Sequence, residues 1–484
     1  MPDKGSSLKV NILYQSFYEI LAIVLPLITS PYIARVLGAN NLGIFSYTYS
    51  IAYYFQLFGM LGIKFYGNRS IAIARSDKSV LNRVYSELLN IHILFSAASL
   101  AVYIAYCIFF ERKYSSISYA QTFMVASTLF DISWLFFGLE KFKITVVRNT
   151  IIKLISVVLI FLFVRDKSDL WIYTLIMAGS QFVSQAILFG MANRYVSYVR
   201  VPFRSMLKHI RPLFVLFIPV ISVSLYEYMD KILLGYLGGT LQLGFFENAN
   251  KILNIPLSII IAFGSVMLPR MSTLASDKSS SKANKYIKMS CRYMVGFSFA
   301  MSCGMAAIAE VFSVVFWGAD FAPCGNLIII LSVSLPFSTF ASIVRNQDMI
   351  PNGKDAQYTV AIIFGAVINL LLNVIFIPKF GAAGSAYATL AAEITVCMSQ
   401  FFFVRKDFDY IKYIYSSFIF LIPSFVMFMV VFLIGSVCEA SLITLVIQFF
   451  AGCITFLLIS FIALIISKDN IVCSIVKKER KFND

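Results

Sequence analysis

A chain of 484 residues that is 59% hydrophobic, only 13% charged and carries 47 phenylalanines holds more apolar surface than a soluble core can bury. It reads as an all-α polytopic membrane protein. The formal charge of +16 would suit nucleic acid, but lysine and arginine also collect in the cytoplasmic loops of membrane proteins.

Windows of about 19 residues predict fourteen spans: 12–34, 42–63, 88–110, 118–138, 144–164, 170–192, 212–236, 243–268, 293–316, 325–347, 357–377, 382–404, 413–436 and 441–466. The first has the length of a full span and no A-x-A cleavage site, so it is expected to be retained. The weakest are 118–138, which contains Asp131, and the pair divided only by Pro378-Lys379-Phe380-Gly381. These make twelve to fourteen the defensible range.

Charge in the loops fixes the expected orientation. An even count puts both termini on one side, and that side takes 31 of the 40 lysines and arginines while the other takes six. Lys153, Lys231 and Lys251 fall within spans. The termini are therefore expected in the cytoplasm, and the basic charge needs no nucleic acid. The eight cysteines show no CxxC or metal spacing and read as small hydrophobes.

A weak repeat runs at an offset of 201 residues. Gly38, Leu42, Gly43, Phe45, Ile51 and Arg69 match Gly239, Leu243, Gly244, Phe246, Ile252 and Arg270. The expected organisation is two six-helix lobes in pseudo-twofold arrangement, 1–200 and 201–406, with a helix pair and basic cytoplasmic tail over 407–484.

Five charges interrupt the seventh and eighth spans: Glu227, Asp230 and Lys231 before the turn at Gly238-Gly239-Thr240, Glu247 and Lys251 after it. Each costs about 2.5–3.5 kcal/mol at the centre of a membrane helix, so they must face protein or water. Glu227–Lys231 and Glu247–Lys251 are i,i+4 pairs. Asn250 and Asn254 continue the second face. Two readings fit: a polar cavity between lobes, or ion pairs that lock a hairpin. The first-lobe copies of these positions, Pro26, Thr29, Ser30, Ser46 and Ser50, carry no charge.

Arg35, preceded by Pro26 and Pro31, suits an anion at the outer mouth or an arginine snorkelling to headgroups. Lys153 is a cavity cation or another snorkelling side chain. Asp131, Glu310 and Glu393 are isolated acids, each a proton or sodium site or a hydrogen-bonding partner for a neighbouring helix. Gly381, Gly384, Ser385, Ala388 and Ala392 have the spacing of close helix packing, and Pro219, Pro256 and Pro336 are bend points. No nucleophile elbow, P-loop, HExxH or dinucleotide glycine pattern occurs, so neither catalysis nor ATP hydrolysis is expected, and no cofactor is implied.

The stretches at 30–72 (SPYIARVLGANNLGIFSYTYSIAYYFQLFGMLGIKFYGNRSIA), 136–143 (FFGLEKFK), 214–270 continuing to VMLPRMS, and 377–393 (IPKFGAAGSAYATLAAE) resemble polysaccharide transporters of the Wzx flippase type. That superfamily also holds multidrug and toxic-compound extrusion antiporters and lipid II flippases. The resemblance implies transfer of undecaprenyl-diphosphate-linked oligosaccharide units across the bacterial cytoplasmic membrane by alternating access, for O-antigen, capsule or exopolysaccharide. Arg35, Lys153, Lys231, Lys251 or Arg270 would face the diphosphate. Membrane lipids surround the path, H+ or Na+ drives it, and a polysaccharide polymerase is a candidate partner. A drug–cation antiporter, favoured by Asp131, Glu227 and Asp230, and a lipid II flippase are the alternatives within the superfamily. External loops of about eight residues argue against a glycosyltransferase or polymerase.

Overall fold

A computed structural model describes residues 8–277 and 280–467. Every described element is helical. They fall into two compact units, Met1–Tyr236 and Leu237–Asp484.

Unit 1 begins with α1, Leu8–Met60, which is two helices joined at a kink: Gly38 sits at φ 77°, ψ 166°. Only glycine adopts that region cheaply. The two arms cover the first two expected spans. Then follow α2 (Ile63–Ala74), α3 (Lys78–Phe109), α4 (Ser115–Ala126), α5 (Ser133–Gly138), α6 (Phe142–Phe163), α7 (Leu170–Met191) and α8 (Phe203–Leu233). α8 packs on α1, α2 and α3.

Unit 2 opens after a second glycine of the same conformation. Gly239, at φ 89°, ψ 158°, precedes α9 (Thr240–Ser276) and lies 201 residues after Gly38. The two glycines give the sequence repeat a backbone counterpart. The unit continues through α10 (Ser280–Ser290), α11 (Gly296–Trp317), α12 (Pro323–Ser332), α13 (Leu335–Val344), α14 (Asp355–Phe380), α15 (Ala382–Val404), α16 (Tyr410–Tyr415), α17 (Leu421–Val437) and α18 (Leu442–Ile466).

Among the described residues twelve helical segments are long and apolar enough to cross a membrane. With the two arms of α1 they account for the fourteen expected spans. The doubtful pair stands as two helices: Gly381, at φ 57°, divides α14 from α15. A Cβ at Gly384 would lie 2.4 Å from the Phe376 carbonyl oxygen, and Ala386, Ala388 and Ala392 are fully buried. The small-residue stripe is thus what lets α14 and α15 approach so closely.

Two spans differ from a plain helix. The fourth, expected to run continuously over 118–138, breaks at Ser127–Ile132: a 3-10 turn ends at Asp131, with φ −77° and ψ 84°. The tenth breaks after Ser332, and α13 restarts with a proline, Pro336, in its first turn, where the missing N–H costs nothing. Among those twelve segments these two are also the most enclosed. Their apolar windows are 56% and 67% buried, against 11% for α18. Broken backbone within a membrane is tolerated where protein surrounds it, and both breaks meet that condition.

Arg148 corrects the loop assignment. Counted from the sequence with the cytoplasmic-side cations although the expected span 144–164 contains it, it lies within α6 and is buried to 8% exposure. Its Nη1 donates to the Ser184 carbonyl at 2.9 Å and to Gln185 Oε1 at 3.3 Å, and its Nη2 to Asn149 Oδ1 at 2.6 Å. The guanidinium ties α6 to α7.

Candidate functional site

The second arm of α1 carries a run of tyrosines, Tyr47, Tyr49, Tyr53 and Tyr54, all half-buried. α8 lies against this arm and brings Tyr228 onto it. The Tyr53 and Tyr228 rings stack with centroids 3.9 Å apart and planes 17° from parallel. Tyr49 stands 6.4 Å from Tyr228, centroid to centroid. The Tyr54 hydroxyl donates to the Ser224 carbonyl at 3.1 Å, anchoring the arm to α8.

Three of the expected site residues lie on this stretch of α8. The ammonium of Lys231 sits 5.1 Å from the centre of the Tyr228 ring, within cation–π range. Glu227 is exposed and lies within electrostatic range of Tyr53. Asp230 is buried to 4% and lies within range of Tyr54. Aromatic faces and charges of both signs are therefore held together where the end of α8 meets the second arm of α1. Such a surface can stack on sugar rings and place a cation beside an anion.

The other candidates are distributed. Glu247, Asn250 and Lys251 are half-buried and Asn254 is exposed, all in the first half of α9. Arg270 is on the same helix 19 residues beyond Lys251, about 28 Å away at 1.5 Å per residue, so the two cannot hold one phosphate. Its guanidinium lies 4.3 Å from the Tyr286 ring centre and bonds the Tyr286 hydroxyl. Arg35 is exposed on α1 and Lys153 half-buried on α6. Asp131 is 5% exposed, with Oδ1 accepting from the Ser133 amide at 3.1 Å. Glu393 accepts from Ser338 Oγ at 2.6 Å, the neighbouring-helix role open to an isolated acid.

Two buried carboxylates escaped the sequence reading. Glu87, with no exposed surface, binds Lys208 Nζ at 2.8 Å, His209 Nε2 at 2.9 Å and Arg83 Nε at 3.1 Å. His209 Nδ1 in turn lies 2.7 Å from the Tyr66 hydroxyl. In unit 2, Asp348 accepts from Tyr410 Oη and from Asn352 Nδ2, each at 2.8 Å, with Lys354 Nζ 3.6 Å away. Each acid latches elements of its own unit: α2, α3 and α8 around Glu87, the end of the tenth span and α16 around Asp348. The only hint was an acid beside basic residues near a span end.

The profile of one family, described as polysaccharide biosynthesis protein, matches residues 8–275. The chain belongs to that family. Named relatives extend the likeness beyond the matched residues. A protein of Shigella dysenteriae, provisionally named an O-antigen transporter, is 24% identical over 396 residues, covering 81% of this chain and 98% of its own. One of the same provisional name from Escherichia coli K12 is 24% identical over 409 residues, covering 83% and 97%. Among solved structures, the lipid II flippase MurJ superposes with a TM-score of 0.77 over 95% of this chain and all of its own, at 15% identity. A multidrug resistance transporter of the MATE family reaches 0.61 over 81% and 99%, at 14% identity. The chain therefore has the fold that MurJ and MATE transporters share.

Proposed function

We propose that this protein is a flippase that carries undecaprenyl-diphosphate-linked oligosaccharide units across the bacterial cytoplasmic membrane for surface polysaccharide. One observation carries the reading. The second arm of α1 and the end of α8 hold a half-buried aromatic and charged surface built on Tyr53, Tyr228 and Lys231. The family and the full-length likeness to proteins provisionally named O-antigen transporters agree with it.

In this reading tyrosines offer flat faces to the sugars, while Lys231 and Lys251, with Arg35 and Lys153, meet the diphosphate in turn along the path. Arg270 marks the cytoplasmic end. A cation beside a phosphate in low dielectric is worth far more than in water. Glu227, Asp230 and Glu247 keep the lysines from holding the anion too tightly, so that it can leave. The lobes, 1–200 and 201–406, alternate in access, and 407–484 adds a helix pair and a basic cytoplasmic tail. Both termini face the cytoplasm, an ion gradient supplies the energy, and a polysaccharide polymerase receives the product.

Deleting the protein tests the reading. Lipid-linked repeat units should accumulate in the inner leaflet and surface polysaccharide should disappear. Normal surface polysaccharide, in a strain with no second flippase, would overturn it.

A further inference from the structure

The break in the fourth span encloses a group that the transport reading above does not use. His92, on α3, is 1% exposed. Its Nε2 lies 2.6 Å from the Thr128 carbonyl oxygen, and a carbonyl only accepts, so the proton is on Nε2. Nδ1 is then a bare acceptor, and it has no hydrogen-bond partner although it is buried. Buried polar atoms are almost always paired. An imidazole nitrogen kept bare in the interior of a membrane segment has a vacant proton position.

The surroundings suit a proton that comes and goes. Burial opposes a charge on the imidazole, and Asp131, which closes the same broken turn and is itself buried to 5%, favours one. Its carboxylate would balance an imidazolium without touching solvent. The Thr128 carbonyl takes two donors, His92 Nε2–H and the Asp131 amide at 3.1 Å. Both of its lone pairs are engaged, which leaves little to offer a sodium ion. Among the described residues no three His, Cys, Asp or Glu side chains gather to hold a metal.

The helices packed on α3 supply few other charges. From α2 comes Lys64, a cation within electrostatic range that opposes an imidazolium. From the first helix come Gly59, whose carbonyl accepts from Ser96 Oγ, and Gln56, which reaches Ser127. From α8 come Lys208 and His209, both engaged by Glu87 further along α3.

We infer that His92 and Asp131 form a proton-binding site at the break of the fourth span, occupied and vacated as the transporter cycles. A proton adds to Nδ1 and gives an imidazolium that keeps its Nε2–H bond to the Thr128 carbonyl and lies within electrostatic range of the Asp131 carboxylate. Its release restores the neutral Nε2–H form. Nothing else is made or broken. A charge appearing beside a 3-10 turn that is not locked into a continuous helix can reset that turn, and with it the packing of α3 against the fourth span.

The chain has two histidines, so nitrogen-15 labelling of histidine in the full-length protein in lipid nanodiscs gives two sets of ring signals, and a His209→Gln variant assigns them. Between pH 8 and pH 5 the His92 signals should pass from the neutral Nε2–H pattern to imidazolium. In Asp131→Asn the imidazolium fraction at pH 6 should fall by about threefold or more. A His92 that stays neutral to pH 5, or that ignores Asp131→Asn, overturns the site.

The coupling role rests on the proposed function and has its own measurement. In proteoliposomes, an imposed pH gradient should speed flipping of a lipid-linked oligosaccharide by the wild type. In His92→Gln the ratio of rates with and without the gradient should fall to one; a ratio kept at the wild-type value overturns coupling through this site. Should the wild type flip nothing, the proposed function fails, while the spectra still decide whether His92 and Asp131 bind the proton.

Discussion

The Tyr53 and Tyr228 rings lie 3.9 Å apart across 175 residues of sequence and stack at 17°. The contact joins the second arm of α1 to the end of α8 and forms the centre of the surface that we assign to the glycan. An aromatic pair contributes about 0.5–1.5 kcal/mol beyond its buried area. Tyr228→Ala should lower the rate of export about 3- to 10-fold at matched protein level, and Tyr228→Phe should keep most of it. Equal rates in all three proteins would remove the stack from the path.

Lys251 distinguishes a substrate contact from a structural ion pair. Lys251→Ala should cut export about tenfold, the cost of one charge-assisted contact, without lowering protein level. Adding Glu247→Gln to it should not restore export, because the phosphate and not Glu247 is then the lost partner. Recovery in the double variant, seen as surface polysaccharide, would make the pair a helix lock.

Close backbone packing seats α8. A Cβ at Gly62 would meet the Leu213 carbonyl oxygen at 2.4 Å and Leu216 Cβ at 3.0 Å. Gly62→Ala therefore forces α8 away from the α1–α2 junction and should lower stability by about 1–3 kcal/mol, read as a drop in thermal midpoint. Gly190, with nothing within 4 Å, is the control: Gly190→Ala should leave the midpoint unchanged or raise it.

The Glu87 latch is the main polar tie between α3 and α8. Glu87→Gln leaves Lys208 and His209 with a neutral partner, and removing one member of a buried ionic cluster costs about 3–5 kcal/mol. Lys208 and Arg83 are 55% and 62% exposed and can turn to water, so about 2 kcal/mol is expected. Arg83→Ala should cost under about 1 kcal/mol. Proteolysis between α7 and α8 provides an independent readout, fastest in Glu87→Gln.

One cap titrates. Asp77 Oδ1 accepts from the amides of Ser79 at 2.8 Å and Val80 at 3.3 Å, at the start of α3. These bonds hold its carboxyl below the usual carboxylate range. A folded value below the unfolded one means stability that is full above the unfolded value, about 3.9, and lost as pH falls through the folded one. The advantage of the wild type over Asp77→Ala in thermal midpoint should hold at neutral pH and shrink below about pH 4.

Much of the fold was legible because the membrane imposes a simple rule: long apolar stretches become spans. The hairpin glycines were legible as well. Gly38 and Gly239 aligned in the repeat, and both adopt a conformation that only glycine enters cheaply. The breaks were not. At Ser127–Ile132 the residues are mostly apolar or hydroxylic, and hydropathy averages over a turn that only the surrounding helices make possible. Arg148 defeated a counting rule that takes every span-end arginine as a loop cation. Its three acceptors lie on Asn149, Ser184 and Gln185, and two of those sit 36 and 37 residues away. The candidate site was half legible. A charge within a span announces itself, so Glu227, Asp230 and Lys231 stood out, but Tyr53 and Tyr228 are ordinary apolar-phase residues until α8 is laid against α1. His92 was equally silent, since a bare Nδ1 is a property of its surroundings.

The most direct test of the central claim is flipping by the purified protein. Proteoliposomes would carry an undecaprenyl-diphosphate-linked oligosaccharide labelled on the sugar, and a membrane-impermeant reagent would report the label in the outer leaflet. With the wild type, the half of the label first protected in the inner leaflet should become reactive over minutes; Lys251→Ala and Tyr228→Ala should be slower. If the protected half stays protected in wild-type vesicles as it does in protein-free ones, the protein is not a flippase for this class of lipid.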